Sequence, residues 1–243
     1  MKNKVTIITG ASKGVGKAIS KKMINKKAKV IIVDIDKENG IKTEKELGEN
    51  CEFINADITK EDEIIRLKNY VMDKYKKIDI LINNAAKQTE NSFFNMEVDE
   101  FKEVIDTNLN GTFICSKILG NEMKRGSKIL NVLSVHYDQP RKNKYHYDAS
   151  KAGVAILTKE MALDVIDRGI TVNAISFGAC ETSLNADWLD NKEKVEDTLS
   201  KIPMRYIAKP EYIADFAVNI LENFAQYTTG SIFNIDGGRS LRN

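Results

Sequence analysis

The stretch VTIIT (Val5–Thr9) leads directly into GASKGVG (Gly10–Gly16), and this junction decides the fold. The first segment consists of β-branched residues and has the length of a buried strand. After the glycines, apolar residues recur at helical spacing, at Val15, Ile19 and Met23. A strand, a glycine-rich turn and a helix in succession predict the opening unit of an α/β domain.

The same alternation continues to the end of the chain, with segments such as Ile64, Leu67 and Val71 at helical spacing between apolar runs. Several of these runs are nearly continuous Val and Ile, which is typical of parallel strands buried on both faces. We predict a single α/β domain over residues 1–243, with a Rossmann-type, doubly wound parallel sheet of seven strands and helices on both faces. The predicted strands are Val5–Thr9, Val30–Asp34, Glu52–Asn55, Ile80–Asn83, Lys128–Leu133, Thr171–Ile175 and Ile232–Ile235.

One segment departs from this pattern. Residues 177–210 show no strand and hold two of the three prolines and the single tryptophan. Ligands of open α/β sheets bind at the carboxyl ends of the strands, so we expect this segment to be a small substrate lid there. A purely structural helical insertion is the alternative.

Composition excludes several classes of protein. Of the 243 residues, 42% are hydrophobic and 30% charged, and the net charge of +2 is spread along the chain, so a globular protein without nucleic-acid binding is expected. The N-terminal apolar run is too short for a signal peptide or a membrane span, which predicts a soluble cytoplasmic protein with no membrane contact. Cys51, Cys115 and Cys180 lie far apart, so neither a disulfide framework nor a metal site is expected.

The glycine-rich turn is a candidate dinucleotide-binding loop. Small residues let backbone N–H groups approach a pyrophosphate, and the helix N-terminus adds partial positive charge. The spacing is Gly-x-x-x-Gly-x-Gly instead of the commoner Gly-x-Gly-x-x-Gly. The candidate contacts in this turn are Gly10, Ser12, Lys13, Gly14, Val15 and Gly16.

Asp34 ends the second strand, where a carboxylate can accept hydrogen bonds from the adenosine ribose and would repel a 2′-phosphate. Lys13 could instead contact that phosphate. The repulsion between an unneutralised carboxylate and a phosphate is larger than the attraction that one exposed lysine provides. NAD is therefore favoured over NADP. A simple turn residue at Asp34 is the alternative.

Polar and small residues follow the next two strands at the same edge of the sheet. Asp57 and Ile58 come after the third strand and are candidate adenine contacts, while Asn84 and Ala85 come after the fourth and are candidate backbone contacts of the cofactor. Asn and Asp at strand ends are also common turn formers, so neither pair would be decisive alone.

Tyr147 and Lys151 are four residues apart, which places both on one face of a helix. A nearby ammonium favours the ionised form of a phenol, whose ordinary pKa of about 10 is too high for an efficient base near neutrality. Tyr70 and Lys74 have the same spacing, and we interpret that pair as a solvated helix face. Tyr147 differs in following a strand-end Ser134 and in preceding a run of small residues.

Together the glycine loop, Asn83-Asn84-Ala85, Asn108, Ser134, Tyr147 and Lys151 resemble the short-chain dehydrogenase/reductase family. The resemblance covers essentially the whole chain. It implies that Tyr147 is the general acid/base, that Lys151 lowers its pKa and holds the nicotinamide ribose, and that Ser134 binds the substrate oxygen. Asn108 would order a water that links Lys151 to solvent, and Gly178 and Thr182 would lie at the nicotinamide, with a helix N-cap as the alternative for Thr182.

Two positions depart from the family pattern: Phe177 stands where a proline usually precedes Gly178, and Ala86 stands where a glycine often follows the Asn-Asn-Ala motif. Both departures concern cofactor loops and leave the proton-transfer residues intact.

The residues around Ser134-Val135-His136 and His146-Tyr147 look similar to glucose 1-dehydrogenase-like members, so we expect a small-molecule sugar, polyol or similar secondary alcohol as substrate. His136 could bind a substrate hydroxyl or have no role. Arg141, Lys142 and Lys144 could attract an acidic substrate or form a solvated basic loop. A hydroxysteroid (bile acid) dehydrogenase, a 3-oxoacyl-thioester reductase and a dinucleotide-sensing module are the alternatives. The helices at Val104–Met123 and Tyr147–Asp167 resemble those that family members pair between subunits, which implies a homotetramer.

Overall fold

The computed structural model describes residues 1–182 and 185–241. Seven strands form one sheet in the order β3-β2-β1-β4-β5-β6-β7, and all six neighbouring pairs are parallel. Each strand lies within two residues of its predicted bounds. The strands are β1 (Val5–Thr9), β2 (Lys29–Asp34), β3 (Cys51–Asn55), β4 (Ile80–Asn83), β5 (Lys128–Ser134), β6 (Thr171–Phe177) and β7 (Ile232–Ile235).

Helices cover both faces of the sheet, as predicted. They are α1 (Gly14–Asn25), α2 (Lys37–Leu47), α3 (Glu61–Tyr75), α4 (Val98–Ile105), α5 (Gly111–Gly120), α6 (Tyr145–Val165), α7 (Ala186–Leu189), α8 (Lys192–Ser200) and α9 (Pro210–Asn219). This arrangement confirms the predicted doubly wound Rossmann-type fold.

Adjacent residues of the central strands point into two separate cores. Ile8 packs with Ile19 of α1 on one face, and Ile7 packs with Leu67 of α3 on the other. All four side chains are buried. Burial on both faces explains why the strand sequences are continuous apolar runs with no alternation.

The boundaries predicted for the helix over Val104–Met123 are wrong. It begins earlier, at Val98, is interrupted by a wider π-helical turn at Asp106–Asn110, and resumes as α5. Such turns accommodate one residue more than an α-helical turn and often occur at functional sites. In this wider turn the Asn108 side chain is directed away from the helix and donates to Lys87 O and Ser150 Oγ.

The segment expected to be a lid contains the short helices α7 and α8 and one isolated bridge, between Cys180 and Ala208. It runs past the carboxyl ends of the strands, where Trp188 and Lys201 line a cleft. Ser183 and Leu184 of this segment lie outside the described residues. Among the helices of the described chain, none combines the length and apolar character needed to cross a membrane.

Candidate active site

A cleft of about 980 Å³ opens at the carboxyl ends of the strands, near β1 and β4, where the order of strands in the sheet reverses. Loops from these two neighbouring strands lead to helices on opposite faces, so they separate and leave a crevice. Of the predicted site residues, Ser12, Gly16 and Asn108 lie behind its walls. Those that line it are Gly10, Lys13, Gly14, Val15, Asp34, Asp57, Ile58, Asn84, Ala85, Ser134, His136, Tyr147, Lys151, Gly178 and Thr182.

The glycine loop requires residues without side chains at two of its positions. Gly10 has a φ of +63°, and a Cβ there would lie 2.5 Å from Ala85 Cα. A Cβ on Gly16 would lie 2.5 Å from Gly10 O and 2.6 Å from Asn84 Nδ2. The loops after β1 and β4 therefore approach too closely for any other residue type.

Asn84 and Thr9 hold these two loops together. Asn84 Nδ2 donates to Thr9 O at 2.9 Å and to Gly10 O at 2.8 Å. In return, Thr9 Oγ1 accepts from the backbone N–H groups of Asn84 and Ala85, each at 3.1 Å. The Asn84 side chain therefore fixes the shape of the cleft, and the residue lines the cleft beside the glycine loop.

The first turn of α1 faces the cleft with its donors available. The N-cap residue Lys13 makes no side-chain capping bond, and no acidic residue lies in the first turn. Backbone N–H groups and the positive end of the helix dipole are thus directed at a cavity lined by Gly14 and Val15. This cradle fits the pyrophosphate of a dinucleotide.

At the β2 end of the cleft, Asp34 lies beside the ion pair formed by Lys13 and Asp36. Asp34 Oδ2 accepts from the N–H of Ser12, and Oδ1 from the N–H of Asp36, both at 3.0 Å. Lys13 Nζ lies 2.8 Å from Asp36 Oδ2. The lysine ammonium donates a hydrogen bond to Asp36, and the backbone N–H and side-chain amide of Asn39 donate two more. These hydrogen bonds lower the pKa of Asp36 to about 2.

The remaining predicted cofactor residues lie along the same cleft. Asp57 Oδ1 accepts from the N–H and hydroxyl of Thr59, so part of this carboxylate holds the turn before α3. Thr182 faces the glycine loop, with its methyl group 3.5 Å from the position a Cβ on Gly14 would take. The N-cap of α7 is Asn185. The alternative N-cap role for Thr182 stays untested, because Ser183 and Leu184 lie outside the described residues.

At the other end of the cleft, β5 and α6 bring Ser134, Tyr147 and Lys151 together in a buried cluster. The Ser134 hydroxyl lies close enough to the Tyr147 phenol to favour a lower pKa for it. Lys151 Nζ lies 5.6 Å from the centre of the Tyr147 ring and donates to Val132 O at 2.8 Å. The four-residue spacing therefore places the phenol and the ammonium on one helix face, as predicted.

Burial dominates the protonation of this pair. It raises the pKa of Tyr147 to about 12, against the opposing effect of the Ser134 hydrogen bond, and lowers the pKa of Lys151 to about 8. The expected lowering of the tyrosine pKa by Lys151 is not observed, because the ammonium bonds to Val132 O and burial disfavours both charged forms. Each group is instead shifted toward its neutral form.

Asn108 supports the site from behind. Its Oδ1 accepts from the N–H of Lys87 at 2.8 Å, and its Nδ2 donates to Lys87 O at 3.0 Å and to Ser150 Oγ at 2.9 Å. These bonds connect the π-helical turn, the segment after β4 and α6. The water relay expected of Asn108 stays a prediction.

His136 packs edge-on against the Tyr147 ring, whereas the ring of His146 contacts Thr89 and Phe101. His136 Nδ1 donates to Gln139 O at 2.9 Å, and burial lowers its pKa to about 4, so the ring is neutral and Nε2 is an acceptor. His146 is fully buried and bonds Thr89 Oγ1 at 2.7 Å through Nε2. Its Nδ1 accepts from the N–H of Tyr147, which anchors the start of α6.

Sequence reasoning missed several residues of the cleft, among them Asp36, Trp188 and Arg239. Asp36 lies two residues beyond the predicted Asp34, and an Asp-x-Asp pattern at a strand end could have indicated it. Arg239 follows the turn Asp236-Gly237-Gly238, and nothing in its neighbourhood in the sequence shows that the chain returns to the site.

A family model described as enoyl-(acyl carrier protein) reductase matches residues 10–240, which is nearly the whole chain. It includes the glycine loop and the buried tyrosine and lysine. The chain belongs to the short-chain dehydrogenase/reductase family. Members of this family are oxidoreductases that act on alcohol and carbonyl groups with a nicotinamide dinucleotide.

Named relatives of this short-chain dehydrogenase/reductase differ in substrate. Glucose 1-dehydrogenase 2 of Bacillus subtilis is 33% identical, over 98% of this chain and 95% of the relative. 3beta-Hydroxysteroid dehydrogenase 1 of Eggerthella lenta is 34% identical, over 99% and 95%. The crystal structure of 3-ketoacyl-(acyl-carrier-protein) reductase from Brucella melitensis, complexed with NADH, superposes with a TM-score of 0.90 at 29% identity, over 98% and 99%.

The close approach of the glycine loop to β4 predicts a specific effect of Gly10→Ala. The new Cβ must displace Ala85, so dinucleotide binding should weaken at least tenfold, measured by the fluorescence of NADH on titration with protein. Gly126→Ala is the matched control, since Gly126 also has a positive φ (+86°) but no atom within 4 Å of its Cβ position. Both variants carry backbone strain of about 1 kcal/mol, and equal NADH affinities would contradict the proposed role of the contact.

Proposed function

We propose that this chain is an NAD-dependent dehydrogenase that transfers a hydride between a secondary alcohol and NAD, with a sugar, polyol or similar hydroxylated molecule as substrate. The observation that carries this proposal is the buried cluster of Ser134, Tyr147 and Lys151 at one end of a cleft that ends at Asp34 on the other side.

In this proposal the cofactor, when bound, supplies the hydride acceptor. Tyr147 Oη takes the hydroxyl proton of the substrate during oxidation and returns it during reduction. Ser134 Oγ holds the substrate oxygen beside the phenol, and Asn108 keeps α6 and the π-helical turn in register. Lys151 lies where its ammonium can stabilise the phenolate and reach a ribose hydroxyl when it leaves Val132 O.

The cofactor residues are assigned by their place along the cleft. Gly10, Gly14 and the start of α1 would hold the pyrophosphate, and Asp34 the adenosine ribose. Asp57 and Ile58 would contact the adenine. The backbone of Asn84 and Ala85 and the facing residues Gly178 and Thr182 would line the nicotinamide half. Ser12 and Gly16 would act through the shape of the loop.

The preference for NAD is supported by the charges around the ribose end. The ammonium of Lys13 is paired with Asp36, so it is not free to neutralise a 2′-phosphate. Asp34 places a carboxylate at the point where that phosphate would lie. Two carboxylates against one ammonium favour a ribose with a free hydroxyl.

Removing Asp34 should relax this preference. We expect Asp34→Ala to lower the ratio of kcat/KM for NAD to that for NADP at least tenfold, because the variant loses both the hydrogen-bond acceptor and the repulsion. Glu38→Ala is the control, since Glu38 is an exposed acidic residue of the adjacent helix. An unchanged ratio in Asp34→Ala would show that the ribose contact is assigned to the wrong residue.

The proton-transfer role is tested by Tyr147→Phe, which keeps the ring and removes the hydroxyl. Turnover should fall by a factor of about 10³ or more while NADH binding is retained, because the phenol does chemistry and the cleft remains. The control is Tyr70→Phe, since Tyr70 and Lys74 have the same spacing on an exposed face. Persistent turnover in Tyr147→Phe would place the acid/base elsewhere.

The substrate class is tested by initial rates of NAD and NADP reduction with sugars, polyols, hydroxysteroids and 3-hydroxyacyl thioesters. Turnover of a sugar or polyol with NAD is the expected result. NADP-linked thioester turnover would instead assign the chain to acyl reduction. Dinucleotide binding without turnover of any class would support a sensing role.

A homotetramer is also proposed. Exposed apolar side chains lie on the two helices that resemble family interfaces, including Phe113 (49% exposed) on α5 and Ile156 (54%) and Leu163 (76%) on α6. Their burial between subunits would remove apolar surface from water. Light scattering should give about four times the chain mass of 27.4 kDa, and a stable particle of one chain mass at micromolar concentration would contradict the proposal.

A further inference from the structure

Two arginines from distant parts of the chain line the substrate end of the cleft. Arg141 lies in the loop between β5 and α6, and Arg239 lies in the turn that follows β7. Both guanidinium charges contribute to lowering the pKa of His136, whose ring packs edge-on against Tyr147 with centroids 6.4 Å apart. The two cations therefore lie near the proton-transfer residue, at the opposite end from Asp34.

The turn that carries Arg239 is rigidly built. The Asp236 carboxylate accepts from the N–H of Gly238 at 2.9 Å and from the N–H of Ser240 at 2.8 Å. Gln139 Nε2 donates to Ser240 O at 2.9 Å, which ties this turn to the same loop that positions His136. Arg239 is thereby held half-buried against the substrate side of the cleft.

Two carboxylates near these arginines have other partners, and a third contacts only the backbone of Arg141. Asp197 bonds to Lys201, and Asp236 is used by the two amides of its turn. Asp148 Oδ2 accepts from the backbone N–H of Arg141 at 2.7 Å, and the buried Oδ1 has no hydrogen-bond partner among the described residues. Within the part of the chain that the structure describes, neither guanidinium is in an ion pair with a carboxylate.

Two guanidiniums that converge on one cavity make an oxyanion site, because each offers several donors in a planar fork. A solvated basic loop would instead present its cations outward. Lys142 fits that description, since it does not line the cleft, whereas the equally exposed Arg141 and the half-buried Arg239 do. Arg141 and Arg239 differ from it in facing the cavity where substrate must lie.

We propose that the substrate carries an oxyanion, a carboxylate or a phosphate monoester, which Arg141 and Arg239 bind while its secondary alcohol lies at Tyr147. The neutral His136 accepts a hydrogen bond from a further hydroxyl through Nε2. The preferred substrate is thus a polyhydroxy acid or polyol phosphate, not an uncharged polyol. This inference rests on the dehydrogenase activity proposed above.

The test compares charged and uncharged polyols of equal length. Hydroxy acids from glycerate to gluconate are paired with glycerol to glucitol, and glucitol 6-phosphate is a third arm that separates phosphate from carboxylate. Initial rates with NAD give kcat/KM. Binding is followed independently of turnover by the fluorescence of Trp188, the single tryptophan, which lines the cleft.

We expect at least one charged compound to exceed its uncharged partner tenfold or more in kcat/KM and in affinity. Arg239→Gln and Arg141→Gln should each remove most of this preference with NADH affinity unchanged, and Lys142→Gln should leave the preference intact. The two arginine variants lie on different segments, so a local folding defect in one does not affect the other.

The two proposals fail in different ways. Equal use of charged and uncharged polyols, or a preference that survives both arginine substitutions, would overturn the oxyanion site while the dehydrogenase stands. Binding of an acid or phosphate that depends on Arg239, without turnover of any compound, would overturn the dehydrogenase while the oxyanion site stands.

Discussion

The close approach of the loops after β1 and β4 is the constraint on which the rest of the site depends. Gly10 lies so near Ala85 that no side chain fits between them, and Asn84 and Thr9 fix the distance with four hydrogen bonds. Because α1 begins at the end of the first loop, the same contact sets where the helix N-terminus points. A cleft for phosphate groups follows from it without any charged side chain.

At the opposite end of the cleft, the burial of two ionisable side chains lowers the stability of the fold. Tyr147 and Lys151 lie in surroundings that penalise both the phenolate and the ammonium, so their pKa values move in opposite directions, toward the neutral forms. Tyr70 and Lys74 show the alternative outcome of the same spacing. They lie on the surface of α3 and bond Glu52, which raises the pKa of Lys74. The surrounding strand and helix, and not the four-residue spacing, create a reactive pair.

The sequence predicts the sheet well because its strands are apolar on both faces, a property visible in each strand alone. The residues lining the cofactor half follow for a similar reason, since they come directly after those strands. The π-helical turn was missed because its cause is not local. Asn108 leaves the helix to bond Lys87 and Ser150, which are 21 and 42 residues away. Arg239 was missed because it reaches the cleft only through the turn that follows β7.

The glycine loop and the buried pair of Tyr147 and Lys151 bear differently on function. The glycine loop would serve a sensing module as well as an enzyme, since it asks only for a bound dinucleotide. A buried lysine beside a buried tyrosine carries a desolvation cost that dinucleotide binding alone does not require. Strongly shifted groups that converge in a cleft are typical of sites that move protons. The arrangement of Ser134, Tyr147 and Lys151 therefore favours turnover over sensing, and the converging arginines select what is turned over.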